Sequence, residues 1–194
     1  MTNAVLVSDA YAFAAERHVQ QRRKGAKEEP YINHLVEVAA LVAAATNGTD
    51  PNLTAAAVLH DSVEDTNTTL EELEERFNRD VAGLVAEVTD DKTLLKQSRK
   101  DLQVLNTPKK SARAKMIKIA DKTSNLRSLV NSPPGNWSSD RKKEYLDWAR
   151  QVVEGARGVN AWLEDVFDTA AFELEEILRC HTSAGTGGDA QEEI

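Results

Sequence analysis

Cysteine is nearly absent from this 194-residue chain, and its one residue, Cys180, excludes an intramolecular disulfide and a zinc site built from cysteines. No apolar run approaches the roughly 18 residues needed to cross a bilayer, so no membrane span is expected. The opening Met1-Thr2-Asn3-Ala4-Val5 lacks a basic segment followed by an apolar one. A signal peptide is therefore not expected, and the cytoplasm is the expected location. Alternating β-branched runs are missing, which argues against a sheet, and no internal repeat is present. Basic residues are in deficit, 24 Lys and Arg against 32 Asp and Glu, and the net charge of −8 argues against nucleic acid as a partner.

What remains is an ordinary soluble composition, 41% hydrophobic and 29% charged. Apolar residues recur at three- and four-residue spacing, which predicts an all-α chain. Its length suits one domain, expected over residues 1–180. The tail 181–194 is built mainly of small and polar residues and is expected to be disordered. The first predicted helix runs from Val5 to about Gln21, ending at Arg22-Arg23-Lys24-Gly25 with Gly25 as a left-handed cap. Asn33 is the expected N-cap of a helix from His34 to about Thr46. Asn47-Gly48-Thr49-Asp50-Pro51 breaks it, and an apolar helix carrying Leu53–Leu59 leads into His60-Asp61. Two overlapping Thr-x-x-Glu boxes at Thr68 and Thr69 open a helix to about Phe77. Further helices are expected over Asp80–Val88, Leu94–Leu105 and Lys109–Val130, the last with Ala114, Ile117, Ala120, Leu126 and Leu129 inward. After the loop Pro133-Pro134-Gly135-Asn136, Ser138 or Ser139 caps a final helix to about Arg179, bent near Gly155 or Gly158.

Charge is unevenly distributed. From Asp61 to Asp91 there are eleven acidic residues against two basic ones, and from Lys92 to Lys143 fourteen basic residues against three acidic ones. An acidic centre beside a basic wall suits a metal and a small polyanion, although a solvated asymmetry without function has the same pattern. The densest stretch is His60-Asp61-Ser62-Val63-Glu64-Asp65-Thr66, directly after the apolar run. If it is helical, Glu64 lies one turn from His60 and Asp65 one turn from Asp61. Burying such groups unpaired costs several kcal/mol each, on the order of what a metal or a hydrogen-bond network must offset. A capped, solvated helix end is the plainer alternative. Asp121 is also out of place: Asp is a poor helix former, yet here it follows Ile117, Ile119 and Ala120 on a core-facing stretch. It is either half of a buried ion pair or a ligand. His34, His60, Asp61 and Asp121 together would make a mixed nitrogen and oxygen site suited to Mn²⁺, Fe²⁺ or Zn²⁺ rather than Ca²⁺. His18 suits a structural or supporting role, and none is expected for His181.

In this order, in an all-helical chain, His34, His60-Asp61 and Asp121 resemble the HD superfamily of metal-dependent phosphohydrolases. Five segments narrow the likeness: Arg22-Arg23-Lys24, Pro30-Tyr31-Ile32-Asn33-His34, His60 to Thr66, Val88 to Leu94, and Ala120 to Arg127. They resemble the hydrolase domain of Rel/SpoT alarmone enzymes. Asp90-Asp91-Lys92-Thr93-Leu94, Trp137 and Tyr145-Leu146-Asp147-Trp148 resemble the stand-alone small alarmone hydrolases in particular. The likeness covers about Ala10 to Leu163, with minor departures at Ser62 and Leu35.

The resemblance implies a compact HD-domain helical bundle that removes the 3′-pyrophosphate of ppGpp or pppGpp, with Mn²⁺ as the metal. It implies His34, His60, Asp61 and Asp121 as metal ligands and Glu64 and Asp65 as the pair that activates water and handles protons. It implies Asn125 at the ribose-phosphate site, Arg23 and Lys24 beside guanine, and Lys96, Arg141 and Tyr145 near phosphates. A metal lowers the pKa of water by several units, and nearby Lys and Arg stabilise a leaving pyrophosphate. Asp65, beside other carboxylates, is expected to have a raised pKa and to donate a proton. Which of Glu64 and Asp65 is base and which is acid does not follow from the sequence. Two other readings stay open: an enzyme removing the 2′-phosphate of NADPH, or another nucleotide phosphohydrolase of the same fold, and a nucleotide-binding regulatory module without turnover. Oligomeric state is not legible.

Overall fold

Capping chemistry sets half of the α-helix starts. In the computed structural model, residues 2–185 are described, except for the side chains of 181–185. They form ten α-helices and one 3₁₀ turn: α1 Asn3–Arg17, α2 Ile32–Ala45, α3 Pro51–Leu59, α4 Ser62–Asp65, α5 Leu70–Arg76, α6 Arg79–Val88, α7 Lys96–Asn106, the 3₁₀ turn Thr107–Lys109, α8 Ala112–Asn131, α9 Ser139–Glu154 and α10 Ala161–Gly185. No strand is present among the described residues, only an isolated bridge between Arg22 and Pro30. Asp50, Thr69, Asn78, Ser111 and Ser138 each accept a hydrogen bond from the backbone N–H three residues on, satisfying a donor the helix leaves unpaired. At the end of α2, Gly48 N–H donates to Ala43 and Asn47 N–H to Ala44, with Asn47 at φ 49°, a Schellman closure.

Two helices form the centre. Every residue of α3 from Leu53 to Leu59 is buried, and α8 buries twelve residues, including all five expected inward positions. The apolar α3 packs on α1, α2 and α6, while α8 packs on α2, α6, α9 and α10, so α2 and α6 serve both. Asp121 therefore projects, itself buried, from a helix packed on four others.

Several boundaries differ from expectation. The first helix ends at Arg17 rather than Gln21, so Arg22, Arg23 and Lys24 lie in a loop and not at a helix end. Gly25 has no left-handed conformation. It is needed because a Cβ there would lie 2.2 Å from the Ser132 carbonyl oxygen, which docks this loop on the end of α8. Helix α2 begins at Ile32 with Tyr31 in the cap position, so Asn33 is not the cap. Only Thr69 of the two overlapping boxes caps α5; Thr68 is buried and its hydroxyl lies 2.8 Å from that of Thr66. The expected start at Lys109 becomes the 3₁₀ turn, because Ser111 caps α8 two residues later. The single bent final helix is two helices. Gly158 at φ 85° turns the chain, and the Glu164 carboxylate accepts from the N–H groups of Gly158, Val159 and Asn160. The last helix continues to Gly185, and residues 186–194 of the expected tail lie outside the described residues.

Candidate functional site

His60 and Asp61 occupy the turn where α3 stops and α4 starts, just past the helix they were expected to end. Their side chains meet His34 from the first turn of α2 and Asp121 from the middle of α8. His60 Nε2 lies 3.1 Å from Asp61 Oδ2 and 4.0 Å from Asp121 Oδ1; His34 Nε2 lies 3.4 Å from Asp121 Oδ1 and 3.7 Å from Asp61 Oδ2. The fold thus gathers all four candidate ligands. His34, His60 and Asp121 each offer a ligand atom within 4.8 Å of the others.

Hydrogen bonds fix which ring nitrogens face this cluster. His60 Nδ1 lies 2.8 Å from the Ala57 carbonyl, which can only accept, so Nδ1 carries the proton. Its Nε2 is buried, has no partner of good hydrogen-bond geometry and faces the two carboxylates. Ser124 Oγ donates to Glu37 at 2.6 Å and is left to accept from His34 Nδ1 at 2.9 Å, which turns His34 Nε2 inward as well. Glu37 is also held by Arg127 at 3.1 Å. Tyr31 donates to Asp61 at 2.6 Å, and Asn125 and Lys122 donate to Asp121 at 2.6 and 2.8 Å. Two inward imidazole nitrogens and two oriented carboxylates fit a divalent ion.

The electrostatics agree. Burial pushes His34 below the ordinary histidine value. Burial also opposes charge on His60, but the Asp61 carboxylate outweighs it and raises that group. Asp61 and Asp121 sit well below the usual carboxylate range despite burial, held there by His60 and by Lys122 respectively. Both carboxylates therefore stay ionised, as ligands must be, and a metal would displace the proton that Asp61 favours on His60.

Above the cluster lies a cavity of about 770 Å³. Glu64 and Asp65 line it, as do all six expected substrate-contacting residues, Arg23, Lys24, Lys96, Asn125, Arg141 and Tyr145. The four candidate ligands do not line it, but Tyr31 and Asn125, which hydrogen-bond them, do. The carboxyl with raised proton affinity is Glu64, through burial and then the charges of Asp61, Asp90 and Asp65. Asp65 is engaged on both oxygens, by Lys92 and by Gln21 Nε2 at 2.8 Å. Glu64 is less tightly held, with Arg99 at 3.3 Å and the Asp90 N–H at 3.4 Å.

Aromatic rings and cations form the far wall. Arg141 lies 4.4 Å from the Trp137 ring centroid, and Lys122 and Lys100 lie 4.4 and 4.9 Å from that of Trp148. Arg23 lies 5.9 Å from that of Tyr31. Burial pushes the Tyr145 hydroxyl up to about 12, so it remains a donor. Sequence reasoning missed Arg99 and Lys100, although Lys96, Arg99 and Lys100 share one face of α7 at three- and four-residue spacing. It also missed the supports Glu37, Ser124 and Gln21, for which no local signal exists.

Residues 10–147 match the family model described as HD domain. A guanosine-3′,5′-bis(diphosphate) 3′-pyrophosphohydrolase of Xenopus tropicalis is 50% identical over 167 residues, 86% of this chain and 93% of that protein. Its Homo sapiens counterpart is 49% identical over 164 residues, 84% of this chain and 92% of that one. The solved structure of a metazoan ortholog of SpoT, described as hydrolysing ppGpp, matches with a TM-score of 0.80 at 44% identity, over 91% of this chain and 95% of the other.

Proposed function

The chain belongs to the HD-domain family, and we propose that it is a metal-dependent hydrolase that removes the 3′-pyrophosphate of ppGpp or pppGpp, giving GDP or GTP and pyrophosphate. The observation that carries this reading is the cluster of His34, His60, Asp61 and Asp121, with both Nε2 atoms turned to the carboxylates and with Tyr31 and Asn125 linking it to a cavity lined by cations. We assign His34, His60, Asp61 and Asp121 as the ligands and Mn²⁺ as the ion. When bound, the ion supplies Lewis acidity that favours loss of a proton from water near neutral pH.

The chain's own groups supply the rest. Glu64, with its raised pKa, takes the proton from the attacking water at a carboxylate oxygen. Asp65, fixed by Gln21 and Lys92, orients that water or returns the proton. Lys96, Lys100 and Arg141 neutralise phosphate oxygens, and Tyr145 donates to one of them. Arg23 and Lys24 contact the guanine, and Asn125 braces Asp121 while lining the ribose-phosphate side. We place the enzyme in the cytoplasm, a reading supported by the lone cysteine; among the described residues, no helix is long and apolar enough to cross a membrane.

The test offers the purified protein with Mn²⁺ four substrates: ppGpp, pppGpp, NADPH and simple nucleotides. Pyrophosphate and GDP from ppGpp are expected, whereas phosphate from NADPH with ppGpp untouched would overturn the assignment. Metal analysis of His60→Ala should show loss of bound ion, and unchanged content would remove His60 from the site.

A further inference from the structure

Behind the cavity wall lies a buried histidine that the chemistry above does not use. His18 caps α1 and is only 2% exposed. Its Nδ1 lies 2.5 Å from Gln21 Oε1, and its ring stacks on Tyr31 with centroids 5.4 Å apart and planes at 23°. Gln21 Nε2 in turn donates to Asp65 Oδ2 at 2.8 Å, and Tyr31 donates to Asp61 Oδ2 at 2.6 Å. One ring thus contacts both side chains that reach the site's carboxylates from this wall.

The proton positions follow from the carboxylate. Asp65 Oδ2 accepts from the amide nitrogen of Gln21, which leaves the amide oxygen facing His18. His18 therefore donates from Nδ1. Were the imidazole proton on Nε2, two lone pairs would meet at 2.5 Å. Were the Gln21 amide turned over, its oxygen would face Asp65 Oδ2. Each wrong arrangement puts two acceptors together, so the His18 proton selects one orientation of Gln21. The other partner of Asp65, Lys92, has a side chain 49% exposed, and solvent screening makes such a pair a poor constraint. The hydrogen bond from Gln21, braced by a buried ring, is the stronger constraint.

We infer that His18 is a positioning residue for the hydrolytic reaction: its Nδ1–H fixes the Gln21 amide, and Gln21 fixes Asp65. This rests on the reading of Asp65 as part of the hydrolytic centre. Removing the Nδ1 donor leaves Gln21 free to turn and Asp65 held by Lys92 alone. Misplacement of an acid-base group lowers turnover more than binding.

The test combines kinetics on ppGpp in Mn²⁺ with nitrogen NMR of the histidine rings in the full, metal-free chain. His18→Phe keeps a ring beside Tyr31 and removes the donor. It should lower kcat about tenfold with KM within twofold and metal content unchanged. His18→Asn returns a donor near the Nδ1 position and should recover most of that loss. Gln21→Ala combined with His18→Phe should cost no more than Gln21→Ala alone. In the parent, His18 should carry its proton on Nδ1, and Gln21→Ala should abolish that preference. Additive losses in the double variant, full turnover in His18→Phe, or a parent His18 protonated on Nε2 would each overturn the inference. A parent inert toward ppGpp would instead sink the substrate assignment, while the NMR result would still decide the role of His18.

Discussion

His34 Nδ1 and the Ser124 hydroxyl, ninety positions apart in the chain, are 2.9 Å apart in the fold, and Ser124 donates its own hydrogen bond to Glu37. A ligand imidazole is commonly oriented by what its second nitrogen touches, and losing such a partner costs about 10- to 100-fold in metal affinity or activity. Ser124→Ala should therefore weaken Mn²⁺ binding by that factor, measured by calorimetry. Unchanged affinity would mean that packing alone orients His34.

Glu64, the carboxyl proposed to take the proton from water, has a raised pKa in the metal-free protein. Its folded value is raised, chiefly by burial, so the fold disfavours its ionised form above the unfolded value near 4.5. The stability associated with this group is present below that pH and is lost as pH rises through the folded pKa. Glu64→Gln should accordingly raise the thermal midpoint of the metal-free protein at pH 7, while lowering kcat about 10²-fold or more. Activity of Glu64→Gln within a few-fold of the parent would remove it from the proton transfer.

Arg23 presents a planar cation over the cavity beside Tyr31. Stacking on a base is equally strong in ground and transition states, so its loss appears in KM rather than kcat. Arg23→Ala should raise KM for ppGpp with a cost of roughly 1–2 kcal/mol, about ten- to thirty-fold. Hydrolysis of a small phosphodiester lacking a base should not change. Equal losses on both substrates would reassign Arg23 to the phosphates or the fold.

Lys100 lies among like charges. Its pKa is lowered by burial and then by Lys96, with Lys122 and Arg141 adding to the effect. A polyanion would relieve that repulsion. Lys100→Met keeps the packing on Trp148 without the charge, and should raise KM for ppGpp about tenfold at low salt and less at high salt. A salt-independent effect would show that packing, not charge, was lost.

Most helices were legible because breakers and caps are local. Asp50-Pro51, Thr69 and Ser138 act within three residues of themselves, whatever the rest of the chain does. The candidate ligands were legible for a related reason, since a carboxylate among Ile117, Ile119 and Ala120 contradicts the local pattern. The end of α1 was not legible, because nothing in Val19-Gln20-Gln21 forbids a helix. The loop that follows packs Gly25 against Ser132, a contact more than a hundred residues away in sequence. The break between α9 and α10 was visible only as a bend, since the capping carboxylate, Glu164, lies six residues beyond Gly158.

The sequence by itself determined the helical class, individual caps such as Thr69 and Ser138, and the residue types of a candidate metal and phosphate site. Each of these depends on propensity, periodicity or a charge out of place within a few positions. The tertiary structure alone decided the proton arrangement. Which histidine nitrogen faces the cluster, which carboxyl gains proton affinity, and which glutamine holds Asp65 depend on burial and on partners separated by up to ninety residues. Burial and hydrogen-bond direction are properties of packed neighbours, and no local pattern encodes which distant neighbour will be packed there.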